Sequence, residues 1–352
     1  MQNFIHQYGW LRYKERLPNS LNEQQIGRIL TVHKTNYSIM TQNGPLMGQL
    51  TGQLLYSADL EERPQTGDWV QIMPYETQCI ITGILPRYNQ LARKVAGKKS
   101  DKQLFATNID KALLVQGLDR DFNLRRLERI VVAIRDANIQ PIIILNKSDL
   151  SNTIEVQVNQ VKTLFPDLKV IHLSALSGDG ITYLEEVLQC HETLILIGSS
   201  GAGKSTLLNA VMSAKTQETA QISAAVGKGI HTTTRRELFA LPNGSLLIDT
   251  AGIREFGITL GNPDAIITAF ADIDQLAKAC YYSDCTHTDE PNCAVLKAID
   301  EQQLDEGAYH SFLKLRDEAK HYAASQQEKK RKGKDISKLV RNMKRSNIKK
   351  RY

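Results

Sequence analysis

The sequence lacks any apolar run long enough to cross a bilayer, because its longest apolar stretches are Ile142–Leu145 and Leu194–Ile197. Residues 1–17 carry four charged side chains and no apolar core, so no signal peptide is predicted. Cysteine is scarce, with five among 352 residues, and disulfides are disfavoured in the cytosol. We therefore expect a cytoplasmic protein without membrane attachment.

The remaining composition is that of a soluble globular chain, with 41% hydrophobic and 23% charged residues and no internal repeat. A length of 352 residues predicts two or three domains. Charge is uneven: residues 329–352 hold twelve Lys/Arg against the single acid Asp335, or +11, so the rest of the +6 chain sums to −5. Such a basic end favours a polyanion, RNA first, although many charge runs are merely solvated.

The first part of the chain, up to about Gly97, alternates short β-type runs with turn signals. Five strands are predicted, at Ile26–Leu30, Tyr37–Met40, Gly48–Leu50, Trp69–Ile72 and Cys79–Thr82, with Gly44-Pro45 and Gly67-Asp68 as turns. Five strands in about seventy residues fit an OB-like or an SH3-like barrel, and spacing does not choose between them. A basic connector follows, with Arg93, Lys94, Lys98, Lys99 and Lys102.

The middle of the chain changes to alternating strands and helices, which predicts a mostly parallel α/β sheet. Its predicted strands are Lys111–Gln116, Pro141–Leu145, Val170–Leu173, Thr193–Ile197, Arg236–Leu241 and Ser245–Ile248. Its predicted helices are Leu124–Ala137, Glu155–Phe165, Ile181–Gln189 and one after the fourth strand. Beyond Gly261 the chain becomes helical and contains three cysteines.

Residues Gly198–Ser205 read G-x-x-x-x-G-K-S between an apolar strand and a helix. In that context glycines let backbone N–H groups surround phosphate, Lys204 reaches the β and γ oxygens, and the Ser205 hydroxyl binds Mg²⁺. Asp249-Thr250-Ala251-Gly252 matches D-x-x-G, in which Asp249 holds Mg²⁺ through water and Gly252 senses the γ-phosphate. A switch threonine belongs in Gly227–Thr234; Thr234 is preferred to Thr233.

Asn146-Lys147-Ser148-Asp149 directly follows a strand, where N-K-x-D reads guanine: the Asp149 carboxylate accepts two hydrogen bonds that adenine does not offer. Ser174-Ala175-Leu176 follows the next strand and fits the loop whose backbone N–H meets guanine O6. The predicted GTP-binding residues are Asn146, Lys147, Ser148, Asp149, Ser174, Ala175, Gly198, Ser199, Ser200, Gly201, Ala202, Gly203, Lys204, Ser205, Thr206, Thr233, Thr234, Asp249 and Gly252. Magnesium is assigned to Ser205, Thr234 and Asp249.

Ile253 stands where Ras-like proteins place a water-positioning glutamine, and isoleucine cannot orient water. We hypothesise that His231 orients the water and that a partner completes this site. The alternative is that His231 is a surface histidine in a loop. The motif order is also unusual, because N-K-S-D and S-A-L precede the phosphate loop. The domain is therefore predicted to be circularly permuted, and the segment after Gly252 leads directly into the C-terminal part.

The cysteine segment reads Cys280-x₄-Cys285-x-His287-x₅-Cys293. Three thiolates and one imidazole suit a closed, tetrahedral, structural Zn²⁺ site, although the spacing is not the usual C-x₂-C. A disulfide would leave one of these three cysteines over. The isolated Cys79 and Cys190 are predicted to be packing residues.

These motifs together resemble the circularly permuted GTPases of bacterial small ribosomal subunit biogenesis, the RsgA (YjeQ) family, over nearly the whole chain. Departures are Ala251 where proline is usual and Lys228-Gly229-Ile230 before the histidine. The resemblance implies an OB-fold barrel, a permuted GTPase domain, and a mainly helical zinc domain. We expect segments at 1–102 (barrel and connector), 103–260 (GTPase), 261–325 (zinc domain) and 326–352 (basic tail).

We also expect a monomer, with one structural Zn²⁺ and with Mg²⁺ bound with GTP. It implies binding to the small (30S) subunit and its rRNA, and subunit-stimulated hydrolysis of GTP to GDP and phosphate, followed by release. Two other hypotheses stay open: a GTP-gated RNA-binding factor acting on tRNA or mRNA, and a metabolic or signalling GTPase without an RNA partner.

Overall fold

Five strands near the N-terminus close into a barrel. Their bounds are β1 (Ile26–Val32), β2 (Tyr37–Thr41), β3 (Gly44–Leu50), β4 (Trp69–Tyr75) and β5 (Gln78–Ile84). They pair in the order β1-β2-β3-β5-β4, and β1 also pairs with β4, which closes the barrel. The β3 and β5 strands are parallel, and helix α3 (Gly52–Ser57) lies between β3 and β4 in the chain. The predicted five-stranded barrel is confirmed, and this strand order identifies it as an OB-fold.

This computed structural model describes residues 3–18, 21–57, 63–94, 102–213, 236–249 and 270–317. The described residues up to 249 form one compact unit and residues 270–317 a second. None of the helices in these ranges is long and apolar enough to cross a membrane. The predicted domain boundaries stay a prediction.

One predicted turn in the barrel is wrong. Gly44-Pro45 begins β3 instead of forming a turn, because the tight turn lies one step earlier, at residues 42–43, with Thr41 paired to Gly44. The sheet tolerates Pro45 because β3 pairs only with β2 at that level, and its pairing with β5 begins at Met47. A proline lacks the N–H that a second neighbour would require.

Two short helices that the sequence did not indicate precede the barrel, α1 (Phe4–Gln7) and α2 (Trp10–Lys14). Their buried side chains pack against Trp69 of β4, and the Trp10 and Trp69 rings lie 5.0 Å apart. Aromatic pairs at such distances add to the burial of apolar area. The N-terminal helices therefore pack on the barrel through a second apolar cluster, separate from its interior core.

The predicted basic connector contains a hairpin. It pairs β6 (Gln90–Lys94) with β7 (Lys102–Thr107) in antiparallel register. The second strand begins at the last residue of the predicted barrel segment. A high density of lysine and arginine obscured the strand pattern, because only Leu91 and the stretch Leu104–Ala106 supply buried apolar side chains.

Six strands form the α/β part of the sheet. They are β8 (Lys111–Gly117), β9 (Gln140–Asn146), β10 (Lys169–His172), β11 (Thr193–Ile197), β12 (Glu237–Ala240) and β13 (Leu246–Asp249). The order is β10-β9-β8-β11-β13-β12, with four parallel pairings and an antiparallel β12. The mostly parallel sheet predicted from the sequence is confirmed.

The helices of this part are α4 (Leu124–Asp136), α5 (Ile154–Leu164), α6 (Ile181–Glu185) and α7 (Lys204–Ser213). Alternate residues of the central strands pack into two separate apolar clusters, one on each face of the sheet. Burial on both faces explains why these strands read as continuous apolar runs. The helix predicted at Ile181–Gln189 ends at Glu185.

The two isolated cysteines differ. Cys190 is exposed, so its predicted packing role is wrong, whereas Cys79 is fully buried in the barrel as predicted.

The barrel and the α/β sheet share hydrogen bonds. Strand β12 pairs on one side with β13, where Glu237 is opposite Asp249, and on the other side with β1, where Glu237 is opposite Thr31. The result is one continuous eleven-stranded sheet. Two strand widths therefore separate the D-x-x-G aspartate from the barrel.

The second unit is helical around the cysteine segment. Its helices are α8 (Ala271–Ala277), α9 (Ala294–Asp300) and α10, whose described part covers residues 306–317. The rings of Phe270 and Phe312 meet edge to face with centroids 5.7 Å apart. Within residues 270–317 few apolar side chains are buried, a condition in which small domains commonly need a metal.

Candidate functional site

The carboxyl ends of the parallel strands lie at one edge of the sheet, which is where open α/β sheets bind ligands. The phosphate loop leaves β11 there and enters α7. A Cβ atom on Gly198 would lie 2.2 Å from the Val115 carbonyl oxygen, and one on Gly203 would lie 2.2 Å from Asn146 Nδ2. Gly203 also has a φ of +90°. Both positions therefore require glycine, as the motif predicts.

Lys204 turns back onto the loop. Its Nζ donates to the carbonyl oxygens of Gly198 and Ser199, each at 2.8 Å. Burial lowers the pKa of Lys204, while the negative charge of Asp249 opposes that change. A cation held by backbone carbonyls beside the loop can turn toward a phosphate, whose oxygens are stronger acceptors.

Asn146 connects the three loops that the sequence assigned to nucleotide binding. It is 1% exposed. Its Nδ2 donates to the Ala202 carbonyl oxygen in the phosphate loop at 2.9 Å, and its Oδ1 accepts from the Ala175 N–H at 2.9 Å. Asn146 thus holds one backbone N–H of the Ser174–Leu176 loop, from which the sequence predicted a contact with guanine O6. The Asn146 amide therefore fixes the distance between the phosphate loop and residues Asn146–Asp149, which we call the base-side loop.

Asp149 is exposed at the same edge and accepts a hydrogen bond from Ser174 Oγ at 2.5 Å. An ionised carboxylate oriented by a serine can accept paired N–H donors from a base edge. Lys147 has a φ of +63° and its Nζ forms an ion pair with Asp119 at 2.6 Å. The hydrogen bond from Lys147 lowers the pKa of Asp119. The aspartate thus holds the lysine stem beside the base-side loop.

The sequence reasoning missed two aspartates in the loop after β8, Asp119 and Asp121. Ser199 Oγ in the phosphate loop donates to Asp121 Oδ2 at 2.6 Å, and Arg126 of α4 binds the same carboxylate at 3.0 and 2.8 Å. The hydrogen bond from Arg126 lowers the pKa of Asp121. The available signal was position, because both residues follow the end of a buried parallel strand.

The predicted magnesium ligands are only partly described. Ser205 lies in the first turn of α7 with an exposed side chain, and Asp249 ends β13. Hydroxyl and carboxylate oxygens are the ligands that Mg²⁺ prefers, so these two residues fit the ion chemically. Thr233, Thr234, His231 and Gly252 lie outside the described residues, as does the basic tail.

The second unit contains the predicted cysteine cluster. The ligand atoms of Cys280, Cys285, His287 and Cys293 all lie within 4.8 Å of one another. Cys280 Sγ is 3.8 Å from Cys293 Sγ and 3.6 Å from His287 Nδ1. A tetrahedral zinc with its usual bond lengths requires S–S and S–N separations of about 3.8 and 3.5 Å. The four residues therefore fit one metal ion.

The surrounding groups shift the pKa of two of these donors, His287 and Cys280, toward the form that binds metal. Burial lowers the pKa of His287 and so favours the neutral imidazole that binds metals. Burial raises the pKa of Cys280, but hydrogen bonds from the backbone N–H groups of Ala294 and Val295 and from the Cys293 and Cys285 side chains together lower it overall. Tyr309 donates its hydroxyl to the His287 carbonyl oxygen at 2.7 Å. The ligand loop is thus fixed from α10.

The phosphate loop, the N-K-x-D loop and the D-x-x-G aspartate lie at the carboxyl ends of the parallel strands, and the N-K-x-D loop comes first in the chain. The fold and the site together define a circularly permuted P-loop GTPase.

Comparison with known proteins narrows this class. The family model described as RsgA GTPase matches residues 84–259. The chain is 40% identical over 348 residues, 97% of each chain, to the small ribosomal subunit biogenesis GTPase RsgA 1 of Bacteroides thetaiotaomicron. It is 38% identical to the RsgA of Syntrophotalea carbinolica over 89% of each chain. The chain therefore belongs to the RsgA GTPase family, whose members hydrolyse GTP.

Solved structures agree on the fold. YjeQ of Thermotoga maritima superimposes with a TM-score of 0.61 at 24% identity, covering 84% of this chain and 98% of that one. YloQ, a circularly permuted GTPase, superimposes with a TM-score of 0.57 at 22% identity, covering 86% of this chain and 98% of that one. An ABC transporter model also matches residues 183–350, a range that includes the phosphate loop shared by ATPases and GTPases.

Proposed function

We propose that this protein is a GTPase of late small ribosomal subunit maturation. It binds the small (30S) subunit and its rRNA as a cytoplasmic monomer, hydrolyses GTP when the subunit stimulates it, and then dissociates. The observation that carries the proposal is the 40% identity over 97% of both chains with a relative named as a small ribosomal subunit biogenesis GTPase. A strongly basic C-terminal end on an otherwise acidic chain supports an RNA partner.

We assign the selection of guanine over adenine to the base-side loop and to Ser174. The Asp149 carboxylate accepts two hydrogen bonds from guanine, and Ser174 holds it in place at 2.5 Å. The Lys147 stem, anchored by Asp119, lies along the base. Adenine would leave Asp149 without its donors, and a site of this kind discriminates by about 10⁴-fold or more.

Phosphate binding is assigned to the loop Gly198–Thr206. Its N–H groups and Lys204 neutralise the β- and γ-phosphates, and the Lys204 ammonium leaves the two carbonyl oxygens it contacts to do so. Ser205, Thr234 and Asp249 would hold the Mg²⁺ that accompanies GTP, and the ion would offset negative charge that develops on the phosphates. The Gly252 N–H would sense the γ-phosphate.

Water positioning is assigned to His231, because Ile253 cannot orient water. Hydrolysis is expected to be slow until a partner orders the loop that carries this histidine. His231→Ala should retain nucleotide affinity and lose subunit-stimulated turnover. Normal stimulated turnover in that variant would reject the assignment.

Zinc is proposed as the metal of the cysteine cluster, with a structural role. Three thiolates and one imidazole leave no open coordination position, and the interatomic distances suit tetrahedral zinc. Elemental analysis of the purified protein should give one zinc per chain. A well-folded protein without metal, or one that contains iron, would contradict this assignment.

The decisive experiment measures GTP turnover with added ribosomal subunits. Purified small subunits should raise turnover strongly, and large subunits at equal concentration should not. Stimulation by tRNA or mRNA alone would favour a GTP-gated RNA-binding factor instead. No response to any RNA would favour a metabolic or signalling GTPase.

A further inference from the structure

A cleft lies between α2, β1 and the amino ends of β8 and β11. It encloses about 210 Å³ of empty space, part of which is open to solvent. Three guanidinium groups and one carboxylate line it, so the lining carries two surplus positive charges even with His191 neutral. We call it the arginine cleft, and its side chains include Arg12, Arg16, Arg28, Trp69, Tyr88 and Asp110.

Arg28 brings a buried positive charge to the arginine cleft. It is 2% exposed, and its N–H groups donate to three carbonyl oxygens and to the Thr193 hydroxyl. Among the described residues no carboxylate forms an ion pair with Arg28, and the buried Asp68 carboxylate is bound by Arg87 at 2.7 Å. Arginine is almost never fully buried unless it is paired. An anion in the cleft would therefore supply a charge that the described chain does not place against Arg28.

Arg12 and Arg16 are more exposed, at 42% and 40%, and they are only loosely paired. Both approach the same atom, Asp110 Oδ1, at 3.3 and 3.5 Å, whereas charge-assisted hydrogen bonds measure about 2.7–2.9 Å. Arg12 also approaches Glu192 at 3.3 Å, but Lys111 already binds that carboxylate at 2.5 Å. One aspartate oxygen thus serves two guanidinium groups, which leaves N–H donors for a further acceptor.

The Arg16 guanidinium is oriented by stacking. Its central carbon lies 3.8 Å from the centroid of the Tyr88 ring, and within the described residues its side chain donates no hydrogen bond. A stacked guanidinium keeps its N–H groups in one plane, where they can bind two oxygens of a phosphate or carboxylate together. Arg16 is therefore positioned to receive an anion in the cleft.

The arginine cleft is separate from the nucleotide site. Thr193, which lines the cleft, begins β11, whereas the phosphate loop starts after Ile197 at the other end of that strand. Five residues of strand span about 16 Å. The cleft also lies away from β2 and β3, across which OB-folds usually bind nucleic acid. None of the nucleotide or metal motifs accounts for its charge.

We propose that the arginine cleft binds a phosphate group, with Arg12 and Arg16 as its ligands and Arg28 as the buried charge behind them. Phosphate is favoured over carboxylate because its tetrahedral oxygens can accept from guanidinium groups on different elements, whereas a carboxylate is planar. The group comes from the backbone of an RNA partner or from a small free phosphate compound, which share this chemistry. Only the RNA source rests on the proposed function.

The test titrates inorganic phosphate into the full-length protein and follows tryptophan fluorescence. Trp69 lines the cleft and Trp10, the other tryptophan of the chain, lies 5.0 Å from it, so the signal reports on this region. Saturation with GDP and Mg²⁺ keeps phosphate out of the phosphate loop. We expect a saturable change at about millimolar phosphate that potassium chloride of equal ionic strength does not give.

Two variants should move phosphate affinity in opposite directions. Arg16→Gln should weaken it about ten-fold, because a charged donor pair is lost. Asp110→Asn should tighten it about three-fold, because a competing negative charge disappears while an amide oxygen can still accept the Thr193 N–H, which Asp110 accepts at 2.8 Å. Lys162→Gln removes an exposed charge from α5 and should bind as wild type. A merely structural role for Arg16 predicts no gain in Asp110→Asn.

Phosphate that does not bind the wild-type protein would overturn the proposal. Equal binding to wild type, Arg16→Gln and Asp110→Asn would mean an adventitious ion only and would also overturn it. Thermal unfolding of each variant verifies that the protein folds, so that a loss of binding in Arg16→Gln is not a loss of structure.

The source of the phosphate is decided by binding to purified small subunits at several salt concentrations. If RNA supplies it, Arg16→Gln should weaken binding and reduce the slope of log affinity against log salt by about one, and Lys162→Gln should not. An unchanged slope, together with a positive phosphate titration, assigns the cleft to a free phosphate compound. A wild-type protein that small subunits neither bind nor stimulate would reject the proposed function, while the phosphate titration would still decide this inference.

Discussion

The Asn146 side chain donates a hydrogen bond to the Ala202 carbonyl oxygen at 2.9 Å, and so ties the base-side loop to the phosphate loop. The two residues are 56 positions apart in the chain. Because Asn146 is 1% exposed, this bond is shielded from water. Loss of a buried partner costs about 1–3 kcal/mol, which makes the bond accessible to measurement.

Asn146→Asp should weaken the binding of both GTP and GDP by about 10- to 100-fold. The new carboxylate can still accept from Ala175, but it faces the Ala202 oxygen without a donor. Fluorescent-nucleotide titration measures the affinities. Asn152→Asp adds the same charge to an exposed position nearby and should bind normally. Equal affinities in the two variants would refute a bridging role for Asn146.

Gly203→Ala and Gly201→Ala form a matched pair within the phosphate loop. Both residues have positive φ, +90° and +82°, but only Gly203 faces a neighbour, Asn146 Nδ2, while a Cβ on Gly201 meets nothing within 4 Å. Gly201→Ala should therefore cost about 1–2 kcal/mol of backbone strain. Gly203→Ala adds a steric clash and should reduce GDP affinity at least about ten-fold further. Similar losses would show that strain alone limits the loop.

Ser199→Ala and Asp121→Asn should be coupled in their effect on nucleotide affinity. Their contact, Oγ to Oδ2 at 2.6 Å, links the phosphate loop to a carboxylate that Arg126 also binds. A double-mutant cycle on GDP affinity should give a coupling of about 1 kcal/mol. Ser200→Ala combined with Asp121→Asn is the control and should be additive. Additivity in both pairs would mean that Asp121 does not shape the loop.

Arg28→Met should destabilise the first unit by about 3 kcal/mol or more, because a buried guanidinium serves several acceptors at once. Arg28 is 2% exposed and donates to Thr193 Oγ1 at 2.7 Å and to the Asn108 carbonyl oxygen at 3.3 Å. Urea unfolding measures the change. Arg120→Met, at an exposed position, should change stability little. A small effect at both sites would argue against Arg28 as a link between β1 and β11.

Glu23→Gln should alter the dependence of stability on pH. Burial raises the pKa of Glu23, but hydrogen bonds from His6, Trp10, Lys14 and Asn3 lower it overall, from 4.5 to about 2. Because the folded pKa lies below the unfolded value, the stabilisation is complete above about pH 4.5 and is lost as pH falls toward 2. The shift corresponds to at most about 3 kcal/mol, less because the side chain is 22% exposed.

Chemical denaturation at several pH values checks this expectation. The wild-type protein should exceed Glu23→Gln in stability at pH 7 and pH 5, and the difference should narrow below pH 4.5. Glu76→Gln, at an exposed turn, is the control and should show no such difference. A gap between wild type and Glu23→Gln that stays constant from pH 5 to pH 3 would contradict the role of ionised Glu23.

The sequence by itself determined the class of site, because nucleotide and metal motifs are short and local. Gly198–Ser205, Asn146–Asp149 and the cysteine spacing each carry their chemistry within a few residues. The buried parallel strands were also recognisable in the sequence as continuous apolar runs, because both faces of the sheet are covered. The permuted order could also be read directly from the order of the motifs.

Tertiary structure decided the features that depend on residues distant in the chain. Strand spacing did not choose between an OB-like and an SH3-like barrel, whereas the parallel β3–β5 pairing and the closure of β1 on β4 do. The support that Asp121 gives to Ser199 and the pairing of β12 with β1 likewise join separate segments. Local patterns specify which face of an element is buried, whereas the identity of its neighbour follows from packing and hydrogen bonding of the whole sheet.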